Sequence, residues 1–153
     1  YDVLDVVGRR FQEVFSQLFG GGTAQIVLTD PDNILTGGID FYIQPPGKKR
    51  QQLTLLSGGE RALTVIALLF SFLDYRPAPF CVLDEVDAAL DEANVERFSS
   101  YLNRINKETQ FIVVSHRKKT MEAAEVLQGV TMVERGVSRL LTVAFEDVKE
   151  DLA

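Results

Sequence analysis

The sequence predicts an α/β fold with a mainly parallel core sheet, flanking helices and a C-terminal β-hairpin. Three observations carry that prediction. Residues 80–83 and 111–114 are short apolar runs that end in polar residues, the pattern of buried parallel strands. Between them Val95, Phe98, Leu102 and Ile105 recur at helical spacing, so strand, helix and strand follow one another as a βαβ unit. Residues 130–134 and 138–143 flank Arg135-Gly136 as the two arms of a hairpin.

The remaining elements follow in chain order. Leu4, Val7, Phe11, Val14, Phe15 and Leu18 fall at steps of three and four on one helical face, and Gly20-Gly21-Gly22 stops that helix. Residues 24–29 and 39–44 read as an antiparallel strand pair, punctuated by Asp30-Pro31-Asp32-Asn33 and Gly37-Gly38. Pro45-Pro46-Gly47 and Lys48-Lys49-Arg50 form a polar loop. Residues 57 to about 73 read as a helix apolar almost all round, and therefore buried. A short helix is expected at residues 120–127, and an acidic, frayed tail at 146–153.

Composition bounds the chemistry. A chain of 153 residues is long enough for one domain with its own core. At 46% hydrophobic and 25% charged it matches an ordinary globular protein, not a disordered one. One cysteine, Cys81, excludes an internal disulfide framework and reads as a small buried hydrophobe. One cysteine and one histidine together count against a structural zinc site, and a Ser-His-Asp hydrolase would have to use His116. The net charge of −6 argues against nucleic-acid binding over the whole surface, while leaving local basic patches open. No basic-then-apolar leader opens the chain, and the apolar stretch at 62–73 is too short to span a bilayer. Because the sequence starts at Tyr1, it is expected to be a piece of a longer, cytoplasmic protein.

Four places carry candidate chemistry, each with a plain structural alternative. Ser57-Gly58-Gly59-Glu60 opens the buried helix. It reads as a capping box, as an anion site where two glycines expose backbone N–H groups at a positive helix end, or as both. Asp84-Glu85 ends the first buried strand. It reads as a solvated acidic loop, or as one carboxylate holding Mg²⁺ through water beside a second that orients or deprotonates an attacking water. Asp91 reads first as a helix N-cap. His116, after the second buried strand, reads as a structural or exposed histidine or as a contact to a phosphate oxygen. Ligands of open parallel sheets bind beyond the carboxyl ends of the strands, so Asp84-Glu85 and Ser115-His116 are expected on one rim. The triplets Lys48-Lys49-Arg50 and Arg117-Lys118-Lys119 read as solvated loops or as contacts to DNA phosphates.

In this order the motifs resemble an ABC-type ATPase of the P-loop NTPase class. Leu56 to Glu60 match its signature motif, Phe80 to Glu85 its Walker B, Ala89-Leu90-Asp91 its D-loop and His116 its switch histidine. The wording of residues 56–64, 79–91 and 120–132 resembles one branch more closely, the C-terminal half of the head of an SMC chromosome protein, of bacterial type. Transporter ATPases carry Pro-Thr after the Walker B glutamate, where this chain has Val86-Asp87. The likeness covers essentially residues 1–145.

The resemblance implies a set of roles. Asp84 would help hold Mg²⁺, Glu85 would be the catalytic base, and His116 would sense the γ-phosphate. Ser57, Gly58, Gly59 and Glu60 would face the ATP held by a second head, with Asp91 at the seam. Residues 1–20 would be the end of a coiled-coil arm and 21–153 the C-terminal lobe of the head. Implied partners are the N-terminal lobe, a second SMC head, the C-terminal winged-helix domain of a kleisin subunit and DNA, at the chromosome. No G-x-x-x-x-G-K-[ST] loop occurs, since the only Gly-Lys is Gly47-Lys48, followed by Lys49. The chain alone is therefore expected neither to bind ATP tightly nor to hydrolyse it. Two alternatives stand beside this reading: the head lobe of a related DNA-repair ATPase, and a lobe acting mainly as a kleisin dock.

Overall fold

A computed structural model describes residues 2–33, 36–105 and 109–144. Helix α1 (Asp2–Phe19) leads into strands β1 (Thr23–Leu28) and β2 (Ile39–Gln44), a short β3 (Gln51–Gln52) and a 3-10 turn at Leu53–Leu55. Helix α2 (Gly58–Tyr75), strand β4 (Phe80–Asp84), helix α3 (Glu92–Ile105) and strand β5 (Gln110–Val114) follow. A short helix α4 (Lys118–Glu122) and a hairpin of β6 (Val126–Glu134) and β7 (Val137–Ala144) complete the described chain. Strands β1, β2 and β3 form one antiparallel sheet, β4 and β5 a parallel pair, and β6 and β7 an antiparallel pair. Parallel pairing is thus confined, among the described residues, to β4 and β5.

One core joins the three long helices to the β1–β3 sheet and the β4–β5 pair. Phe11, Phe15 and Leu18 of α1, Leu63 and Phe70 of α2, Val95 and Phe98 of α3, Ile43 of β2 and Leu83 of β4 are all buried in it. The Phe15 and Phe19 rings stack at 4.1 Å, and Phe70 stacks on Tyr101 of α3 at 5.2 Å. Residue 20 therefore marks a change of element within one packing unit, because α1 has its apolar face in the common core. Gln12 ties α1 to β1: its amide donates to the Gly22 carbonyl at 3.2 Å and accepts from the Ala24 N–H at 2.8 Å. Arg97 of α3 donates to the Phe19 carbonyl at 3.1 Å, supplying a donor to the carbonyl-rich end of α1.

Two elements depart from expectation. The helix at 120–127 is instead Lys118–Glu122, and Val126 and Leu127 already pair with Ala144 and Val143 across the hairpin. The β-branched, exposed stretch from Val126 gains a full ladder by pairing, which a further helical turn would forgo. Helix α2 is not buried on every side. Thr64 and Ser71 lie on its buried face, each donating to the carbonyl four residues back, whereas Val65 and Phe72 remain 52% and 48% exposed. The tail expected at 146–153 lies outside the described residues.

The start of α2 is fixed by its side chains. Ser57 is the N-cap, and its hydroxyl accepts from the Glu60 N–H at 3.4 Å. The Glu60 carboxylate reaches back to accept from the Ser57 N–H at 3.1 Å and the Ser57 hydroxyl at 2.8 Å. Lys48 closes on the other carboxylate oxygen at 2.7 Å. The hydrogen bond from Lys48 is the largest influence holding the Glu60 carboxyl below its usual range, with the Ser57 bonds adding to it. Glu60 thus joins the polar loop at Lys48 to the first turn of α2.

Two predictions follow from these contacts. Gly22 has φ +86°, and a Cβ there would lie 2.4 Å from the Gln44 carbonyl oxygen. Gly22→Ala is expected to destabilise the fold by at least about 2 kcal/mol in urea titrations, since left-handed strain and a backbone clash add. Glu60 is held below the ordinary glutamate value of 4.5, so its contribution is present above that pH and fades as the pH falls through the lowered value. Glu60→Gln is expected to flatten this part of the acid limb in the urea midpoint. An unchanged acid limb would show that the pair contributes nothing to folding.

Candidate functional site

The parallel register sets Asp84 opposite Val114, so the two strands end level and their following loops leave side by side. Glu85 continues the ladder by one rung, its N–H donating to the Val114 carbonyl at 2.9 Å. Its backbone then turns with φ 48°, the left-handed region, and it is the one non-glycine residue with positive φ among those described. That conformation costs an L-residue about 1–2 kcal/mol and persists only where the surroundings impose it. The turn carries the Glu85 carboxylate out of the strand end. There Glu85 Oε1 lies 4.0 Å from His116 Nδ1, and both side chains are well exposed. The single rim expected from the sequence is therefore formed.

The other predicted residues are arranged around that pair. Asp84 ends β4 with an exposed carboxylate that no described side chain engages, so it is free for a hydrated cation. No group of three or more His, Cys, Asp or Glu side chains that could hold a metal occurs among the described residues. Asp91 is the N-cap of α3: its carboxylate accepts from the Asn94 N–H at 2.9 Å and the Asn94 amide at 3.2 Å. Gly58 has open space on its Cβ side, while a Cβ on Gly59 would lie 3.0 Å from the Ala89 carbonyl. Gly59 thus lets the first turn of α2 close on the loop between β4 and α3. Glu60, expected to face nucleotide, is engaged by Ser57 and Lys48.

Sequence reasoning missed a buried group beneath the rim. Asp87 is fully buried, and its Oδ2 accepts from the Ser115 hydroxyl at 2.6 Å and the Thr120 hydroxyl at 2.5 Å. Arg117 donates from Nη2 to the Leu90 carbonyl at 2.5 Å. The signal available was a third acid, Asp87, two residues past Glu85 and between the apolar Val86 and Ala88-Ala89. Arg117 therefore serves the loop before α3. In the other basic triplet, Lys48 pairs with Glu60, and Arg50 bonds Gln25 and covers the Tyr42 ring. Cys81 is half-buried in β4, and desolvation pushes its thiol up. No helix among the described residues is long and apolar enough to cross a membrane.

The family described as "RecF/RecN/SMC N terminal domain" matches residues 29–139. That description names an N-terminal domain, whereas the motifs lead to the expectation of a C-terminal half; the match supports the family and not that half. The chain is 60% identical over 149 residues to the chromosome partition protein Smc of Bacillus subtilis (strain 168), covering 97% of this chain and 13% of that protein. One solved structure, described as the structural biochemistry of ATP-driven dimerization and DNA stimulated activation of SMC ATPases, superposes with a TM-score of 0.87 at 36% identity. It covers 99% of this chain and 91% of the other. The Smc head domain from Pyrococcus furiosus, with an extended coiled coil and bound to the C-terminal domain of ScpA, superposes with a TM-score of 0.88 at 36% identity. That match covers 99% of this chain and 38% of the other. With its α/β fold matching SMC head structures and its sequence matching Smc proteins over nearly its whole length, the chain belongs to the SMC family.

Proposed function

We propose that this chain is the C-terminal lobe of an SMC ATPase head, working in chromosome partition. The juxtaposition of Glu85 and His116 at the ends of two parallel strands carries the reading, since it puts a strained carboxylate and an imidazole on one exposed rim. Asp84 would hold Mg²⁺ through water, and the ion would neutralise charge on the transferred phosphate. Glu85 would orient and deprotonate the attacking water, and His116 would donate to the γ-phosphate. Ser57, Gly58 and Gly59 would cap the γ-phosphate of ATP held by a second head, the two glycines offering backbone N–H groups at the positive end of α2. Asp91, as N-cap of α3, would lie at the seam. Glu60 would act through Ser57, by holding the cap.

The lobe assignment rests on what the fold leaves uncovered. A parallel sheet is ordinarily covered on both faces. Here Cys81, Leu83, Phe111 and Val113 meet the core, while Phe80, Val82, Ile112 and Val114 on the other face are 59%, 55%, 46% and 49% exposed. An N-terminal lobe that brings the missing phosphate-binding loop would cover that face and complete the head. Residues 1–20 would continue as one strand of a coiled-coil arm, with residues 21–153 forming the lobe. A kleisin winged-helix domain is proposed as a further partner, on the analogy of the ScpA-bound head. The net charge of −6, with Lys48 and Arg117 engaged within the lobe, supports DNA contact through local basic patches or through the N-terminal lobe. A cytoplasmic, chromosome-associated site is proposed for the assembled protein.

Two substitutions test the reading in the reconstituted head. Glu85→Gln is expected to slow ATP hydrolysis by roughly 10²-fold or more, the scale of losing a positioned base, and to leave ATP-engaged dimers. Turnover near the unsubstituted rate would remove Glu85 from that role. Ser57→Arg is expected to leave ATP binding by one head intact and to block dimerisation, read by size-exclusion chromatography. Loss of nucleotide binding by the single head would contradict the placement of Ser57 across the seam.

A further inference from the structure

The segments that follow β4 and β5 are joined at four points. The Glu85 N–H donates to the Val114 carbonyl at 2.9 Å. The Ser115 hydroxyl donates to Asp87 Oδ2 at 2.6 Å, and the Thr120 hydroxyl donates to the same oxygen at 2.5 Å. Arg117 Nη2 donates to the Leu90 carbonyl at 2.5 Å. The Ser115 hydroxyl thus bridges the two segments, donating its one proton to the carboxylate, which can only accept, while its oxygen accepts from the Arg117 N–H at 2.9 Å. Asp87 is wholly buried, and its second oxygen, Oδ1, has no hydrogen-bond partner. Burying a carboxylate with an unpaired oxygen costs stability, and a local turn alone could be built without it.

We propose that Asp87 is a positioning residue that locks the segment bearing His116 to the segment bearing Glu85 and Asp91, so that base, histidine and seam residue move as one body. The inference rests on the ATPase reading of Glu85 and His116. Asp87 touches neither reacting group. It sits two residues after Glu85, and its two hydroxyl partners stand on either side of His116, at positions 115 and 120. Both partners converge on one oxygen, so the lock needs an acceptor at Oδ2 and no charge at Oδ1. An amide in place of the carboxylate keeps that acceptor, and a methyl group does not. The Arg117 bond to the Leu90 carbonyl carries the same lock to the residue before Asp91.

The test uses the complete head with Mg-ATP and steady-state hydrolysis. Misplacing a catalytic group by about 1 Å costs up to about 10²-fold in rate. Ser115→Ala combined with Thr120→Val, which removes both donors and keeps Asp87, is expected to lower kcat by roughly tenfold or more while leaving KM for ATP within about threefold. Asp87→Asn is expected to keep kcat within about threefold, and Asp87→Ala to fall as the double variant does. Unchanged kcat in the double variant overturns the proposal, as does a loss of kcat matched by a rise in KM. Equal losses in Asp87→Asn and Asp87→Ala overturn the acceptor role. Glu85→Gln measured alongside separates the two levels. If Glu85→Gln hydrolyses normally the ATPase reading fails, whereas slow Glu85→Gln with a normal double variant removes the lock alone.

Discussion

The pairing of β4 with β5 is the constraint on which the rest of the site depends. Their register brings Asp84 level with Val114, so two segments far apart in sequence leave the sheet at one height and in one direction. Each following loop then has a fixed partner across the ladder. Had the strands slipped by one residue, Leu83 would have exchanged faces with Val82, which alternation forbids while one face is buried. The core therefore sets the spacing of the rim: Phe111 and Val113 are held by the aromatic cluster around Phe70, and the carboxylate and the imidazole follow from them.

Stability and chemistry pull against each other at that rim. Glu85 is held left-handed and Asp87 is buried with one oxygen unmatched, and each is unfavourable by itself. What offsets them is local. Two hydroxyls and a guanidinium tie the loops together, and Leu83 and Leu90 anchor the same stretch in the core. The first turn of α2 is joined to this body from the other side, through the close approach of Gly59 to the Ala89 carbonyl. Glu85 and Asp91 thus share the loop between β4 and α3, and the turn that follows Ser57 closes on that same loop.

Much of this was legible in the sequence, for identifiable reasons. The βαβ unit was readable because four apolar residues ending in acids have few alternatives to a buried strand, and Val95, Phe98 and Leu102 have only one helical face. The cap at Ser57 was readable because its chemistry is local. Three things were not. The end of α4 depended on hairpin pairing with residues 143 and 144. The exposure of Val65 and Phe72 depended on which face of α2 the tertiary packing covers, which a helix apolar on several sides does not record. The burial of Asp87 depended on hydroxyl partners that stand 28 and 33 residues away. Short-range chemistry was visible, and chemistry completed across the sheet was not.

The left-handed backbone at Glu85 has a consequence for how such a chain drifts. Glycine or asparagine would occupy that conformation with less strain, so the residue best suited to the turn is not the residue that carries a carboxylate. Selection for folding alone, in a library scored by expression or heat resistance, would enrich those replacements at position 85. On the role proposed for Glu85, selection for ATP hydrolysis by the assembled head would restore glutamate. The position is therefore a marker of which pressure a variant has been under, legible from one codon.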